Sequence, residues 1–206
     1  MTTSGKRLPQ DFYLQDTVTV ARGLLGCVLW RRIGRTSLAA RIVETEAYLG
    51  ANDPASHARR GLRSARNASM YLPGGHAYVY FTYGMHWCLN VVTQDADIAE
   101  AVLIRAVEPI RGIESMRKNR PKAKRDLDLT NGPGKVCMAM GIDHKLDGES
   151  LDGESLYITI QDMDVSDDAI VVTPRVGIEG SGEAAAWPLR FFIRGNRYVS
   201  AYRNVR

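Results

Sequence analysis

The segment RIVETEAYLG, from Arg41 to Gly50, spaces Glu44, Glu46 and Tyr48 at every second position among β-branched and aromatic residues. In a regular strand Ile42, Glu44, Glu46 and Tyr48 share one face, because successive side chains alternate. That sets the two carboxylates about 7 Å apart beside a phenol, twice the rise per residue. Such a pair suits glycosidic chemistry, in which one carboxylate activates water while an oxocarbenium-like sugar forms. The plainer alternative is a strand with a solvent-facing acidic edge. The aromatic flank, a basic loop and His57 shortly downstream favour a site.

A second chemical signal lies in AYVYFTYGMHWCLNVVT, from Ala77 to Thr93, which gathers Tyr78, Tyr80, Phe81, Tyr83 and Trp87 around one break, Gly84-Met85-His86. It reads as a β-hairpin with Tyr83, Met85 and His86 at the tip. An exposed apolar tip on a basic protein suits a wedge that enters stacked bases, although aromatics capping an ordinary core would look the same. Tyr78 and Tyr80 share one face of the first strand and can line a pocket. A flipped purine needs flat walls and a few polar readers, and Tyr48, Tyr80, His57 and Asn90 are of the right types. Tyrosine faces also attract a cationic ring, which favours alkylated purines over normal ones.

The net charge of +4 matters less than its clustering. Arg59, Arg60, Arg63 and Arg66 form one group; Arg117, Lys118, Arg120, Lys122, Lys124 and Arg125 form another. Both are footprints for a polyanion and predict salt-sensitive binding, with solvated loops as the alternative for the second. TNGPGK, from Thr130 to Lys135, lacks the spacing and final hydroxyl of a nucleotide-triphosphate loop. A glycine-rich turn before a helix can still cradle one backbone phosphate, with Lys135 as its counter-charge.

These groups need a scaffold, and the pattern supplies one. A short helix is expected from Thr17 to Leu25, ended by Gly26, followed by the strand CVLWRRI. RTSLAARIVETEAYLG, EAVLIRAVEP, SLYITIQD, AIVVTPRVGI and RFFIRGNRYVSAY read as strands, RGIESMRKNR as a helix stopped by Pro121, and LTNGPGKVCMAMGI as a loop entering a helix. Without a regular βαβ rhythm, this predicts an α+β fold: a single mixed domain over residues 1–206, with a largely antiparallel sheet, short helices and a protruding β-hairpin. Cys27, Cys88 and Cys137 are too dispersed for a disulfide framework or zinc site, and the histidines show no ligand spacing, so no metal is expected. No segment reads as a targeting or membrane-spanning stretch, which suggests a soluble intracellular protein. The tandem LDGES, at Leu146–Ser150 and Leu151–Ser155, reads as a tolerated insertion in an acidic loop.

VETEAYLG, DPASHARRG, RNASMYLPGGHAYVYFTYGMHWCLNVV, AVLIRAVEP, TNGPGKVCMAMGI and PRVGI, in this order, resemble the alkyladenine (3-methyladenine) DNA glycosylase family of the non-helix-hairpin-helix type. The likeness runs over essentially the whole chain. It implies that Glu46 is the general base for the attacking water, and that Arg105 and the carbonyl of Val176 help hold that water. Tyr48 and Tyr80 would be the walls around the flipped base, with His57 at its reading edge. Asn90 would disfavour guanine-like bases, and Tyr83 would fill the gap in the duplex. His86 departs from mammalian members, which carry an aromatic residue there.

The resemblance further implies a mixed α/β fold, no metal and no bound cofactor. The expected partner is double-stranded DNA containing damaged purines, met by a cytoplasmic, nucleoid-associated monomer. Its lesions would be 3-methyladenine, 7-methylguanine, hypoxanthine and etheno-adenine. No lysine lies in the tyrosine and glutamate motifs, so base release without strand cleavage is expected. Two rival readings use the same residues: a non-catalytic lesion-binding module, and a hydrolase of free nucleosides.

Overall fold

Strand β2 (Thr36–Tyr48) is the spine of the molecule and carries Glu44, Glu46 and Tyr48 in its C-terminal half. The structure, a computed structural model, describes residues 5–160 and 165–200. β2 pairs with β1 (Val28–Ile33) through the turn at Gly34 and with β5 (Glu100–Arg111) on its other edge. β3 (Ala77–Thr82) and β4 (His86–Thr93) form the hairpin, and β6 (Leu156–Thr159) closes the far side, giving the order β3-β4-β5-β2-β1-β6. A second hairpin, β7 (Ile170–Thr173) and β8 (Arg190–Ile193), joins the sheet where β8 pairs with Glu44, Thr45 and Glu46. Every pairing is antiparallel, and the fold is α+β.

β2 is not the regular strand its alternation suggests. Its register against β5 slips between Ile42 and Glu44 and again between Glu44 and Thr45. Bulges of this kind re-aim side chains and increase local twist. Residues from Ile42 to Ala47 are all fully buried, so both faces of this stretch are covered and no acidic edge meets solvent.

The helices are short, and α2 and α4 carry recognisable start or stop signals. α1 (Gln10–Tyr13) leads into α2 (Thr17–Gly23), whose first turn is capped by the Asp16 carboxylate accepting from Val18 N and Thr19 N at 3.0 and 3.1 Å. α3 (Ile113–Asn119) precedes α4 (Pro133–Met140), which opens on proline and ends at Gly141 in the left-handed conformation. α2 packs on β2 and β5, and α4 on β4 and β5.

Alternation along β3 divides the sheet's two faces. Ala77 and Val79 join the main core with Val20, Leu24, Val136 and Met140. Tyr78 and Tyr80 instead meet a smaller cluster of Ala58, Met70, Val92, Ala99 and Ala101. That cluster is covered by the turns of residues 50–71, which read as loop and here form three short 3₁₀ segments.

Two expectations are corrected. RFFIRGNRYVS is a strand only over Arg190–Ile193; the chain turns at Gly195 and does not pair again as far as Ser200. The tandem LDGES is not a passive loop. Its first copy runs beside β3, where Ala77 N donates to Glu149 O and Gly148 N to Ala77 O, each at 2.8 Å. Asp147 accepts from Val79 N at 2.8 Å, and Leu146 and Leu151, which open the two copies, are both buried. The ends of SLYITIQD and RFFIRGNRYVSAY lie outside the described residues.

Candidate active site

The bulges of β2 give its two carboxylates different surroundings. Glu44 accepts from Arg105 Nε at 3.0 Å, Arg190 Nε at 2.7 Å, and the Ser200 backbone N–H and hydroxyl at 2.7 Å each. With three donors on Oε1 and one on Oε2, two of them guanidinium groups, it serves as a buried counter-charge. Glu46 is held more lightly. Its Oε1 accepts from Val176 N at 2.7 Å and lies 3.3 Å from Arg105 Nη1, while its Oε2 accepts from the Tyr48 phenol at 2.9 Å. Burial pushes the Glu46 carboxyl above the usual carboxylate range; Arg105, Val176 N–H and Tyr48 pull it back, and Glu44 adds to the rise. The result is a carboxylate more basic than one in water, as proton abstraction requires. Burial also drives Tyr48 well above the ordinary phenol, so it stays protonated and keeps donating.

Arg105, Tyr48 and Val176 line a cavity of about 650 Å³, and Glu46 lies against its floor through all three. Tyr80, His57 and Asn90 line the same cavity, from β3, the turns after β2, and β4. The His57 and Tyr80 rings meet edge to face at 4.5 Å, and Tyr78 stacks behind Tyr80 at 5.3 Å. Burial, with Arg66 and Arg59 nearby, lowers the His57 pKa to about 4, so its imidazole is neutral at physiological pH. Asn90 donates to Tyr78 O at 3.1 Å, which fixes its amide across the hairpin. Every residue proposed from sequence for catalysis or base recognition therefore reaches one cavity or its floor. Val176, which the resemblance brings in for its carbonyl, here contributes its N–H to Glu46.

Tyr78, read from sequence as facing a pocket with Tyr80, lines the cavity and pairs with His57 Nδ1 through its hydroxyl at 2.8 Å. Sequence reasoning missed one group. Arg175 and Asp53 stood inside quoted motifs but drew no attention. They form a fully buried ion pair against the Tyr48 ring, with Arg175 Nη2 donating to Asp53 Oδ1 at 2.8 Å. No periodicity signals a contact across so much intervening sequence.

At the cavity mouth stands the hairpin tip. Tyr83 and Met85 are 80% and 65% exposed, and Tyr83 itself adopts a left-handed backbone at φ 51° beside Gly84 at 64°. Tyr83 lines the cavity and Met85 does not. His86 is not at the tip. It opens β4, and its ring packs so closely on Gly134 that a side-chain carbon there would lie 2.8 Å from Cγ. Lys135 also lines the cavity, its Nζ donating to Asn131 Oδ1 at 2.8 Å. Arg66 lies outside the lining but donates to Phe81 O at 3.2 Å and sits over the Tyr80 ring.

The two basic clusters diverge. Arg59 and Arg60 are exposed, and Arg63 pairs with Asp97. Arg117 is engaged by Glu114 and Asp126, Arg125 by Asp128, and Arg120 donates to the carbonyls of Asp128 and Leu129. Among the described residues no helix is long and apolar enough to cross a membrane.

A buried carboxylate of raised proton affinity against an aromatic cavity, with an exposed hairpin tip beside it, is an arrangement that a hydrolase of N-glycosyl bonds can use. The sequence comparisons narrow the class. The methylpurine-DNA glycosylase (MPG) family matches residues 11–197, and the chain belongs to that family. A relative from Bdellovibrio bacteriovorus, named "Putative 3-methyladenine DNA glycosylase", is 52% identical, the match covering 94% of this chain and 98% of that one. Relatives of the same name from Clostridium perfringens and Methanoculleus marisnigri are 44% and 48% identical, each match covering 94% of this chain and 98% of theirs.

Proposed function

We propose that the enzyme flips alkylated or deaminated purine nucleotides out of duplex DNA and hydrolyses their N-glycosyl bond with a water activated by Glu46. The observation that carries this reading is the Glu46 carboxylate itself: buried, raised in basicity, and held by donors that face the cavity. Arg105 and the Val176 peptide flank the place where a water would meet Glu46. As the bond from C1′ to the base breaks, positive charge develops on the sugar, and an ionised Glu46 stabilises it electrostatically. Glu46 takes a proton from the water whose oxygen attacks C1′, and the base leaves with the bonding pair.

Tyr48 and Tyr80 supply the flat walls, and a cationic alkylated purine gains from their electron-rich faces. Such a purine leaves as a neutral molecule and needs no acid. His57, neutral and fixed by Tyr78, reads the base edge rather than protonating it. The names of the relatives support 3-methyladenine as one substrate, and 7-methylguanine, also cationic, can leave in the same way; neutral hypoxanthine and etheno-adenine need in addition a proton delivered to the base as the bond breaks. Tyr83, with Met85 beside it, is the wedge, while Arg66 and Lys135 meet the DNA backbone.

The test is base release from labelled duplexes bearing one alkylated purine, hypoxanthine or etheno-adenine, with wild type and Glu46→Gln side by side. Wild type is expected to leave an unbroken strand with an abasic site, and Glu46→Gln to bind the lesion without releasing it. A fully active Glu46→Gln enzyme would remove Glu46 from the mechanism. Lesion binding by wild type without release from any of these duplexes would favour a binding module. Strand nicking, with a borohydride-trapped adduct, would overturn the hydrolytic assignment and point to Lys135.

A further inference from the structure

We propose that Arg175, anchored by Asp53, is a positioning residue that fixes the Tyr48 wall and both the phenol and peptide donors on Glu46. The inference rests on the reading of Glu46 as the base. Arg175 and Asp53 side chains are both 0% exposed, and the guanidinium meets the carboxylate through Nη1 and Nη2. Arg175 Nη1 also donates to Ala47 O at 2.9 Å, and its Cζ lies 4.6 Å from the centre of the Tyr48 ring. Asp53 accepts in turn from Leu49 N at 3.1 Å and Ala55 N at 2.9 Å, which anchors the turn that leads to His57.

The planar cation therefore touches three segments at once. It packs on Tyr48, whose phenol donates to Glu46 Oε2. It holds the carbonyl of Ala47, the residue between Glu46 and Tyr48. Through its own backbone it orients the next peptide, whose N–H is the Val176 donor to Glu46 Oε1. A buried ion pair is weak evidence for stability, because apolar residues of similar volume often replace one at little cost. An apolar pair cannot set peptide orientation and ring rotation together, because it lacks a planar fork of donors.

The sign of the consequence follows from the groups around Glu46. Facing it are Glu44 and Tyr48 on β2, Tyr80 on β3, Cys88 on β4, Arg105 on β5, Arg190 on β8 beyond Glu44, and Arg175 behind Tyr48. Val176 N–H and the Tyr48 phenol both lower the proton affinity of Glu46. If they drift when Arg175 is lost, Glu46 holds its proton to higher pH. The active, ionised form then disappears sooner as pH falls.

The deciding variant is Asp53→Leu with Arg175→Met, which removes both charges at similar volume; Arg175→Lys serves as a milder change that keeps one charge but not the fork. Single-turnover base release against pH is measured with thermal unfolding, and the Glu46 carboxyl is titrated by ¹³C NMR, its signal assigned with Glu46→Gln. The double variant is expected to fold and to shift the acid limb and the Glu46 titration upward by about one pH unit, a roughly tenfold loss of rate on the acid side. Arg175→Lys should fall between. Unchanged profiles per folded molecule, whatever the melting temperature, would reduce Arg175 to a staple between loops. Should wild type release no base, the function fails separately, and the NMR titration still decides the positioning role.

Discussion

Glu44 and Glu46 are the same side chain two positions apart, and the fold gives them opposite duties. Glu44 is bonded by two arginines and Ser200, whereas Glu46, itself buried, is bonded by Arg105, Val176 and Tyr48, all of which line the cavity. Arg105 is shared between them, so the charge on Glu44 tunes Glu46. Replacing Glu44 by Gln removes a negative neighbour that raises the Glu46 pKa and frees Arg105 for Glu46. Glu46 then stays ionised to lower pH, and the acid limb of single-turnover base release should move down, opposite to the shift expected at Arg175. Stability should fall by about 3–5 kcal/mol, because two buried arginines lose a counter-charge. A denaturant titration beside the pH profile measures both effects, and an acid limb that stayed in place or rose would separate Glu44 from the tuning of Glu46. The pair was legible in the sequence as alternating carboxylates beside a tyrosine. Which member is held by residues of the cavity wall was not, because the answer depends on Arg190 and Ser200, distant residues brought in by β8.

At the scale of the element, the β3–β4 hairpin separates a buried wall from an exposed finger. Period-two alternation was enough to put Tyr78 and Tyr80 on one face and to find the turn at Gly84. It was not enough to place His86, which is held against Gly134 by α4, an element whose position no local pattern specifies. The same limit applied to β2, whose bulges arise from pairing with β5. Tyr83 stands in the left-handed region, where a side chain other than Gly, Asn or Asp costs roughly 1–2 kcal/mol. It is 80% exposed and supports no core. Tyr83→Asn should therefore leave thermal stability unchanged or higher, since Asn tolerates this backbone. Base release from duplex should fall all the same, since a stacking surface worth about 1–3 kcal/mol is lost. Release from a single-stranded lesion, which leaves no gap in a duplex to fill, should be affected much less. Equal losses on both substrates would mean that Tyr83 acts within the pocket rather than as a wedge.

Across the whole molecule, clusters of positive charge in sequence proved unequal in space. The run from Arg117 to Arg125 read as a footprint with solvated loops as its alternative, and the fold returns Glu114, Asp126 and Asp128 to its arginines. Asp126 and Asp128 stand directly after the run, so sequence proximity carried that information, but only the turn at Asp126–Asp128 shows that they pair back onto it. The cluster at Arg59 and Arg60 stays exposed, and Arg59 reaches the cavity lining. A polyanion whose lesion enters that cavity passes this cluster, so its phosphates should be met there. Each phosphate neutralised contributes about 0.9 to the slope of log affinity against log salt on a duplex. Arg59→Ala with Arg60→Ala should therefore weaken binding to both lesion-bearing and undamaged duplexes, and flatten that slope by up to about two. Arg117→Ala with Arg125→Ala removes the same formal charge, but from residues already neutralised by carboxylates, and should leave the slope unchanged. Fluorescence anisotropy on a labelled duplex across a salt series compares the two pairs directly. A flatter slope only in the second pair would move the DNA path to the α3 side of the molecule and away from the cavity mouth.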